Sequence, residues 1–199
     1  MKTPLEVLKL YTGHDYTLLE AFASRMQRDP ARPFMVYEGR AWSWDAFHDA
    51  LLRTARALAA RGIDKGCRVA VMARNNPGHP LMLFALARLG AIMVPVNPEF
   101  GAAEARYVLH HAGVAAVACS SETLAVAREA SRGIEPAPWF MLLDGAAEGV
   151  AALEDLIAAA PDAALPPNAG AEDTCLIVYT SGTTGFPKGA MRPLTRPAS

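Results

Sequence analysis

The chain has 199 residues, of which 52% are hydrophobic and 20% charged, and its formal net charge is −1. That balance describes a soluble globular protein with one sizeable core or two small ones. With no basic surplus, it excludes a nucleic-acid binder that works by neutralising phosphates.

The amino terminus, Met1 to Glu6, lacks the apolar core of a signal peptide. The most apolar stretch, Leu81 to Val96, is too short for a membrane span and is interrupted by Arg88, Gly90 and Pro95. A cytoplasmic protein is expected. Cys67, Cys119 and Cys175 are widely separated, match no metal spacing and sit in or beside apolar runs, so buried free thiols are expected.

Residues 1–16 form a lead segment. Thr17-Leu18-Leu19-Glu20 then has the form of a capping box, in which a hydroxyl and a carboxylate satisfy the free N–H groups at a helix start. Leu18, Phe22 and Met26 recur every four residues, and Asp29-Pro30 stops that helix. Phe34 to Tyr37, a Glu38-Gly39 turn and Ala41 to Trp44 read as a β-hairpin. From Ser43 the period becomes helical: Phe47, Leu51, Ala55 and Leu58 share a face, and Gly62 marks the end.

Arg68 to Ala73 reads as a strand. A helix entered through Pro80 runs to Leu89 and closes at Gly90, and the strand that follows ends at Pro95. A helix over 103–111, a strand over 114–118, a helix over 122–131 and a strand over 139–143 succeed one another. Leu153, Leu156 and Ile157 mark a short helix ended by Pro161, and residues 161–172 read as an exposed connection. Apolar strands alternating with helices predict an α/β fold, a mostly parallel sheet with helices on both faces.

The last apolar run, Cys175 to Val178, reads as a buried strand and delivers Tyr179-Thr180-Ser181-Gly182-Thr183-Thr184-Gly185-Phe186-Pro187-Lys188-Gly189. The glycines permit a loop that turns many N–H groups toward one point. Thr180, Ser181, Thr183 and Thr184 add hydroxyls and Lys188 a compact charge, an arrangement suited to a polyphosphate. It is not a Walker A loop, which needs Gly directly before the lysine and Ser or Thr directly after; here those places hold Pro187 and Gly189. The loop follows a strand's C-terminal end, where open α/β sheets place their ligands.

Other candidates carry less. His110 and His111 are adjacent, so on a helix their rings diverge by about 100° and do not share a metal. His14, His48 and His79 are isolated. Ser120-Ser121 before Glu122 reads as a helix cap rather than a nucleophile. Trp42 and Trp44 read as packing residues.

On these residues the chain resembles the AMP-forming adenylating enzymes: acyl-CoA synthetases, luciferases and peptide-synthetase adenylation domains. Tyr179 to Gly189 matches their phosphate-loop signature. Gly90-Ala91-Ile92-Met93-Val94-Pro95-Val96-Asn97-Pro98 and the hairpin-helix from Trp42 to Gly62, with Gly66-x-Arg68-Val69-Ala70, match further segments. Cys67 and His79 depart from the family's usual Asp and Glu, at positions that would not touch the nucleotide.

The resemblance implies the N-terminal portion of the large domain of an adenylate-forming enzyme over residues 17–191. It also implies a carboxylate–CoA ligase that uses ATP, Mg²⁺ and coenzyme A on a small-molecule carboxylic acid. Thr180, Ser181, Gly182, Thr183, Thr184, Gly185 and Lys188 would bind the nucleotide's phosphates. The family's magnesium ligand and catalytic lysine fall beyond Ser199, so no metal or catalytic residue is assigned here, and the 199-residue chain alone is expected not to complete a turnover.

Two alternatives stand beside this reading: an adenylation domain loading a carrier protein, and a non-catalytic fragment that only binds nucleotide or associates. Residues 192–199 depart from the family pattern, have two prolines and no apolar period, and are expected to be disordered. Self-association is expected through apolar faces that the rest of the family's domain would cover.

Overall fold

The computed structural model describes residues 17–180 and 188–194. Helix α1 (Leu18–Arg28) starts at the expected capping box: Thr17 Oγ1 accepts from the Glu20 N–H at 3.1 Å, and Glu20 Oε2 accepts from the Thr17 N–H at 2.7 Å. Strands β1 (Pro33–Tyr37) and β2 (Arg40–Ser43) pair antiparallel. Glu38 (φ 47°) and Gly39 (φ 78°) are both left-handed, the two-residue turn whose twist matches a hairpin. Trp44 opens the next helix rather than closing the hairpin.

In α2 (Trp44–Ala59), Phe47, Leu51, Ala55 and Leu58 form the buried stripe that the spacing predicts. Phe47 has no exposed surface and lies 4.5 Å from Phe34, 5.7 Å from Phe22 and 5.7 Å from Phe84 between ring centroids. Trp44 stacks into the same cluster, 4.6 Å from Phe34, and Trp42 meets Phe47 edge-on. Both tryptophans are packing residues.

The main sheet contains β3 (Arg68–Met72), β4 (Ile92–Pro95), β5 (Ala116–Ser120), β6 (Trp139–Asp144), β7 (Thr174–Thr180) and β8 (Lys188–Pro193). Their spatial order is β6-β5-β3-β4-β7-β8; the first five run parallel and β8 returns antiparallel along β7. The intervening helices are α3 (Gly78–Leu89), α4 (Ala102–Ala112), α5 (Leu124–Ala130) and α6 (Leu153–Ala158).

Alternate side chains of one strand enter different cores. Val69 and Val71 pack with α1, α2, α3 and α6, whereas Ala70 and Met72 pack with α4 and α5. This is the doubly covered, mostly parallel sheet expected from the sequence.

Three expectations need correction, and a fourth gains a detail. Cys119 and Cys175 are buried free thiols, but Cys67 is half-exposed and its thiol donates to Asp64 Oδ1 at 2.9 Å. Cys67 lies in the turn before β3, whose first residue is Arg68, so no strand carries its side chain into the core. Ser120 does engage the start of α5, accepting from the Thr123 N–H at 3.3 Å, yet the helix begins at Leu124 because Thr123 instead anchors its hydroxyl on the Met72 carbonyl at 2.6 Å.

The connection over 161–172 has no regular structure and is largely exposed, as expected, and it is also tied down. Arg56 Nε donates to the Ala163 carbonyl at 3.0 Å and Arg88 donates to the Pro166 carbonyl at 2.7 Å. Finally, Arg192 and Pro193 complete β8, and Leu194 is only 6% exposed. The Leu194 N–H donates to the Asp173 carbonyl at 2.9 Å and its carbonyl accepts from the Leu18 N–H at 3.1 Å. These three residues are ordered by partners far away in sequence, which composition does not reveal. Residues 195–199 and 1–16 lie outside the described residues.

Asp173 closes the connection. Its Oδ2 accepts from Lys65 Nζ at 2.7 Å and from the Gly170 N–H at 2.8 Å, and the Lys65 hydrogen bond holds its carboxyl below its ordinary value of 3.8. A depressed folded pKa means that this stabilisation is present above the unfolded value and is lost as pH falls through the folded one. Lys65→Met should therefore make the loss of stability below pH 3.8 shallower in urea midpoints measured against pH. Parallel acid limbs in the variant and the unsubstituted chain would contradict that role.

Candidate phosphate-binding site

β7 carries the site out from the sheet. Among the described residues its single registered pair with β4 is Met93↔Leu176, and beyond that point only β8 is paired with it. Thr180 lies four residues further on, about 13 Å along an extended strand.

The ladder with β8 pairs Ile177 with Met191, Val178 with Ala190, Tyr179 with Gly189 and Thr180 with Lys188. Thr180 and Lys188 are therefore directly opposed, both exposed, at the mouth of the connection between the two strands. Opposed residues of an antiparallel pair project to one face, so a hydroxyl and an ammonium share that rim. Ser181, Gly182, Thr183, Thr184 and Gly185 lie outside the described residues.

One residue below the rim, Tyr179 faces the α4–α5 core. Its hydroxyl meets His111 Nδ1 at 2.7 Å, and the His111 ring stacks on Tyr107 at 5.6 Å between centroids. Burial, reinforced by Tyr107, pushes the Tyr179 phenol up, so it keeps its proton at neutral pH. A Cβ on Gly189 would lie 3.2 Å from Tyr179 Cζ and 3.1 Å from Ile177 Cγ2, so a side chain there would push the tyrosine ring off β8 by a few tenths of an ångström.

The two adjacent histidines part as expected. His110 Nε2 meets the Arg132 carbonyl at 3.1 Å, while His111 turns to Tyr179. His48 stacks on Phe22, burial pushes the His79 imidazole down, and His14 lies outside the described residues. Burial pushes the Cys119 thiol up to about 12, which marks it as a packing residue rather than a nucleophile.

Among the described residues no group of three His, Cys, Asp or Glu side chains is placed to hold a metal ion, and no helix is long and apolar enough to cross a membrane. Two cavities, of about 290 and 220 Å³, open elsewhere; their linings include Trp42, Leu81 and Leu143, and Phe22, His48 and Arg88, with no residue of β7 or β8.

The family model described as "AMP-binding enzyme" matches residues 22–195. The chain belongs to the AMP-binding enzyme family. Among curated members, it is 32% identical over 167 residues to a feruloyl-CoA synthase of Amycolatopsis sp, covering 84% of this chain and 31% of that one. It is 30% identical over 180 residues to the fatty acid–[acyl-carrier-protein] ligase ScoC of Streptomyces coeruleorubidus, covering 88% of this chain and 32% of that one.

The solved structure of the anthranilate CoA ligase AuaEII in complex with anthranoyl-AMP shares the fold, with a TM-score of 0.82 at 20% identity over 90% of this chain and 35% of that one. The chain thus spans about a third of the length of these two curated relatives. It is similar to an N-terminal part of an adenylate-forming enzyme, as the sequence implies.

The sequence assigned no role to His111 beyond excluding a metal, and none to Tyr179 beyond opening the motif. The four-residue spacing of Tyr107 and His111 on one face of α4 was the available signal.

Proposed function

We propose that this chain supplies the polyphosphate-binding part of an ATP-dependent, AMP-forming carboxylate–thiol ligase. The observation that carries the reading is the opposed pair Thr180 and Lys188 at the two ends of a Gly/Ser/Thr-rich connection.

In the reaction, a carboxylate oxygen attacks the α-phosphorus of ATP. The bond from that phosphorus to the bridging oxygen breaks, pyrophosphate leaves with the electron pair, and an acyl-adenylate forms. The sulfur of a thiol, coenzyme A in this reading, then attacks the acyl carbon and loses its proton to solvent; the bond from that carbon to the phosphate oxygen breaks and AMP departs with the electron pair, giving the thioester.

The first step brings two anions together and expels a third, so the protein's contribution is positioning and charge neutralisation. The hydroxyls of Thr180, Ser181, Thr183 and Thr184 and the N–H groups of Gly182 and Gly185 would donate to the β- and γ-phosphates, and Lys188 would offset the charge that develops on pyrophosphate. Magnesium would arrive with the nucleotide's phosphates; no residue of this chain is assigned to it. The similarity to a carrier-protein ligase favours a second reading, in which the acceptor is a phosphopantetheinyl carrier thiol. Acyl transfer to such a carrier but not to coenzyme A would select it.

A ligand that binds only the native state raises stability, by about 2.7 kcal/mol at a hundredfold excess over its dissociation constant. The 199-residue chain should therefore melt higher in millimolar ATP·Mg²⁺ than in Mg²⁺ alone. A folded chain whose melting temperature does not move would overturn the reading.

A further inference from the structure

We propose that His111 is a positioning residue for polyphosphate binding: together with Tyr179 and Gly189 it clamps the β7–β8 arm from the α4 face and so fixes Thr180 opposite Lys188. The proposal rests on the polyphosphate reading above and adds to it a residue on a different element of the fold.

The arm needs such a clamp. Among the described residues β7 is registered with β4 only at Met93↔Leu176, and β8 is exposed from Lys188 through Arg192. Little packing therefore restrains the last residues of the arm. Against that background, the contact from Tyr179 to α4 is specific.

α4 is itself held rigidly, since Ala105, Val108 and Leu109 are buried against the sheet. Tyr107, one turn before His111, stacks on its ring and fixes its plane. With the ring proton on Nε2, the Tyr179 phenol donates to Nδ1 across 2.7 Å. The same phenol ring lies over the Cα of Gly189, so a single side chain restrains both strands at the pair next to Thr180↔Lys188.

Side chains of neighbouring strand residues project to opposite faces. Tyr179 points to α4, and Thr180 and Lys188 point away from it. His111 would thus act on the phosphate-binding rim through the backbone ladder, without contacting the nucleotide.

The test measures ATP·Mg²⁺ affinity of the 199-residue chain by titration calorimetry, with urea midpoints alongside. Tyr179→Phe removes only the hydroxyl and keeps the ring. His111→Leu removes the ring nitrogens. His111→Asn places an amide oxygen close to where Nδ1 stood and serves as the rescue.

His111→Leu and Tyr179→Phe are each expected to weaken binding about three- to tenfold, the range that one ordinary hydrogen bond allows. The double variant should bind no worse than the weaker single one, His111→Asn should recover most of the loss, and urea midpoints should stay near that of the unsubstituted chain. A role confined to stability would instead shift the midpoints and leave affinity alone, which overturns the proposal. So does affinity unchanged in both single variants, or losses that multiply in the double one. If the unsubstituted chain binds no ATP·Mg²⁺, the polyphosphate reading itself falls and this proposal with it.

Discussion

Phe47→Ala should destabilise the chain by about 3–5 kcal/mol in urea denaturation, the cost of emptying a fully buried phenylalanine site. Phe47 has no exposed surface and joins four separate segments: α1 through Phe22, β1 through Phe34, β2 through Trp42 and α3 through Phe84. Because these rings meet edge-on or tilted, neighbours from four elements would have to move together to fill the vacancy. The cavity term would therefore remain on top of the transfer term. Phe47→Leu, which keeps most of the volume, should cost much less. A loss below about 1 kcal/mol for the alanine variant would mean that the aromatic cluster repacks freely, against this description of the core.

Lys188→Ala should reduce the affinity of the 199-residue chain for ATP·Mg²⁺ at least tenfold while leaving the urea midpoint nearly unchanged. Lys188 is exposed and makes no ion pair among the described residues, so the folded chain gains little from it. Its expected value is to the ligand: a charge-assisted hydrogen bond to phosphate is worth about 1.5–3 kcal/mol, which is more than tenfold in affinity. Lys188→Arg should retain part of the binding, since the charge survives although its shape and reach change. Equal affinities in the alanine variant and the unsubstituted chain would remove Lys188 from the site.

The sequence made most of the fold legible because each element carries its own local signal. Thr17 and Glu20 announce α1, Glu38-Gly39 announces the hairpin, and the Phe47–Leu58 stripe announces α2. Each depends on residues within a turn or two of one another. What escaped were features that depend on distant partners. β8 has no apolar period of its own and exists because β7 offers it a ladder. Leu194 follows a proline, yet is fixed by Asp173 and Leu18.

The candidate site divides along the same line. The candidate phosphate-loop residues stand in the sequence as a contiguous string, of which Ser181 to Gly185 lie outside the described residues, and the strand that leads into them follows from Cys175 to Val178. The opposition of Thr180 to Lys188 needed the β7–β8 register, and the His111–Tyr179 contact joins residues 68 positions apart. No local periodicity encodes that pairing.

Titrating the 199-residue chain with inorganic pyrophosphate tests the central claim most directly, because it presents the phosphates without adenine, ribose or acyl group. The account predicts saturable binding that ATP·Mg²⁺ competes away and that Lys188→Ala weakens at least tenfold. A folded chain that takes up no pyrophosphate, or takes it up equally with and without Lys188, would contradict a polyphosphate cradle between β7 and β8.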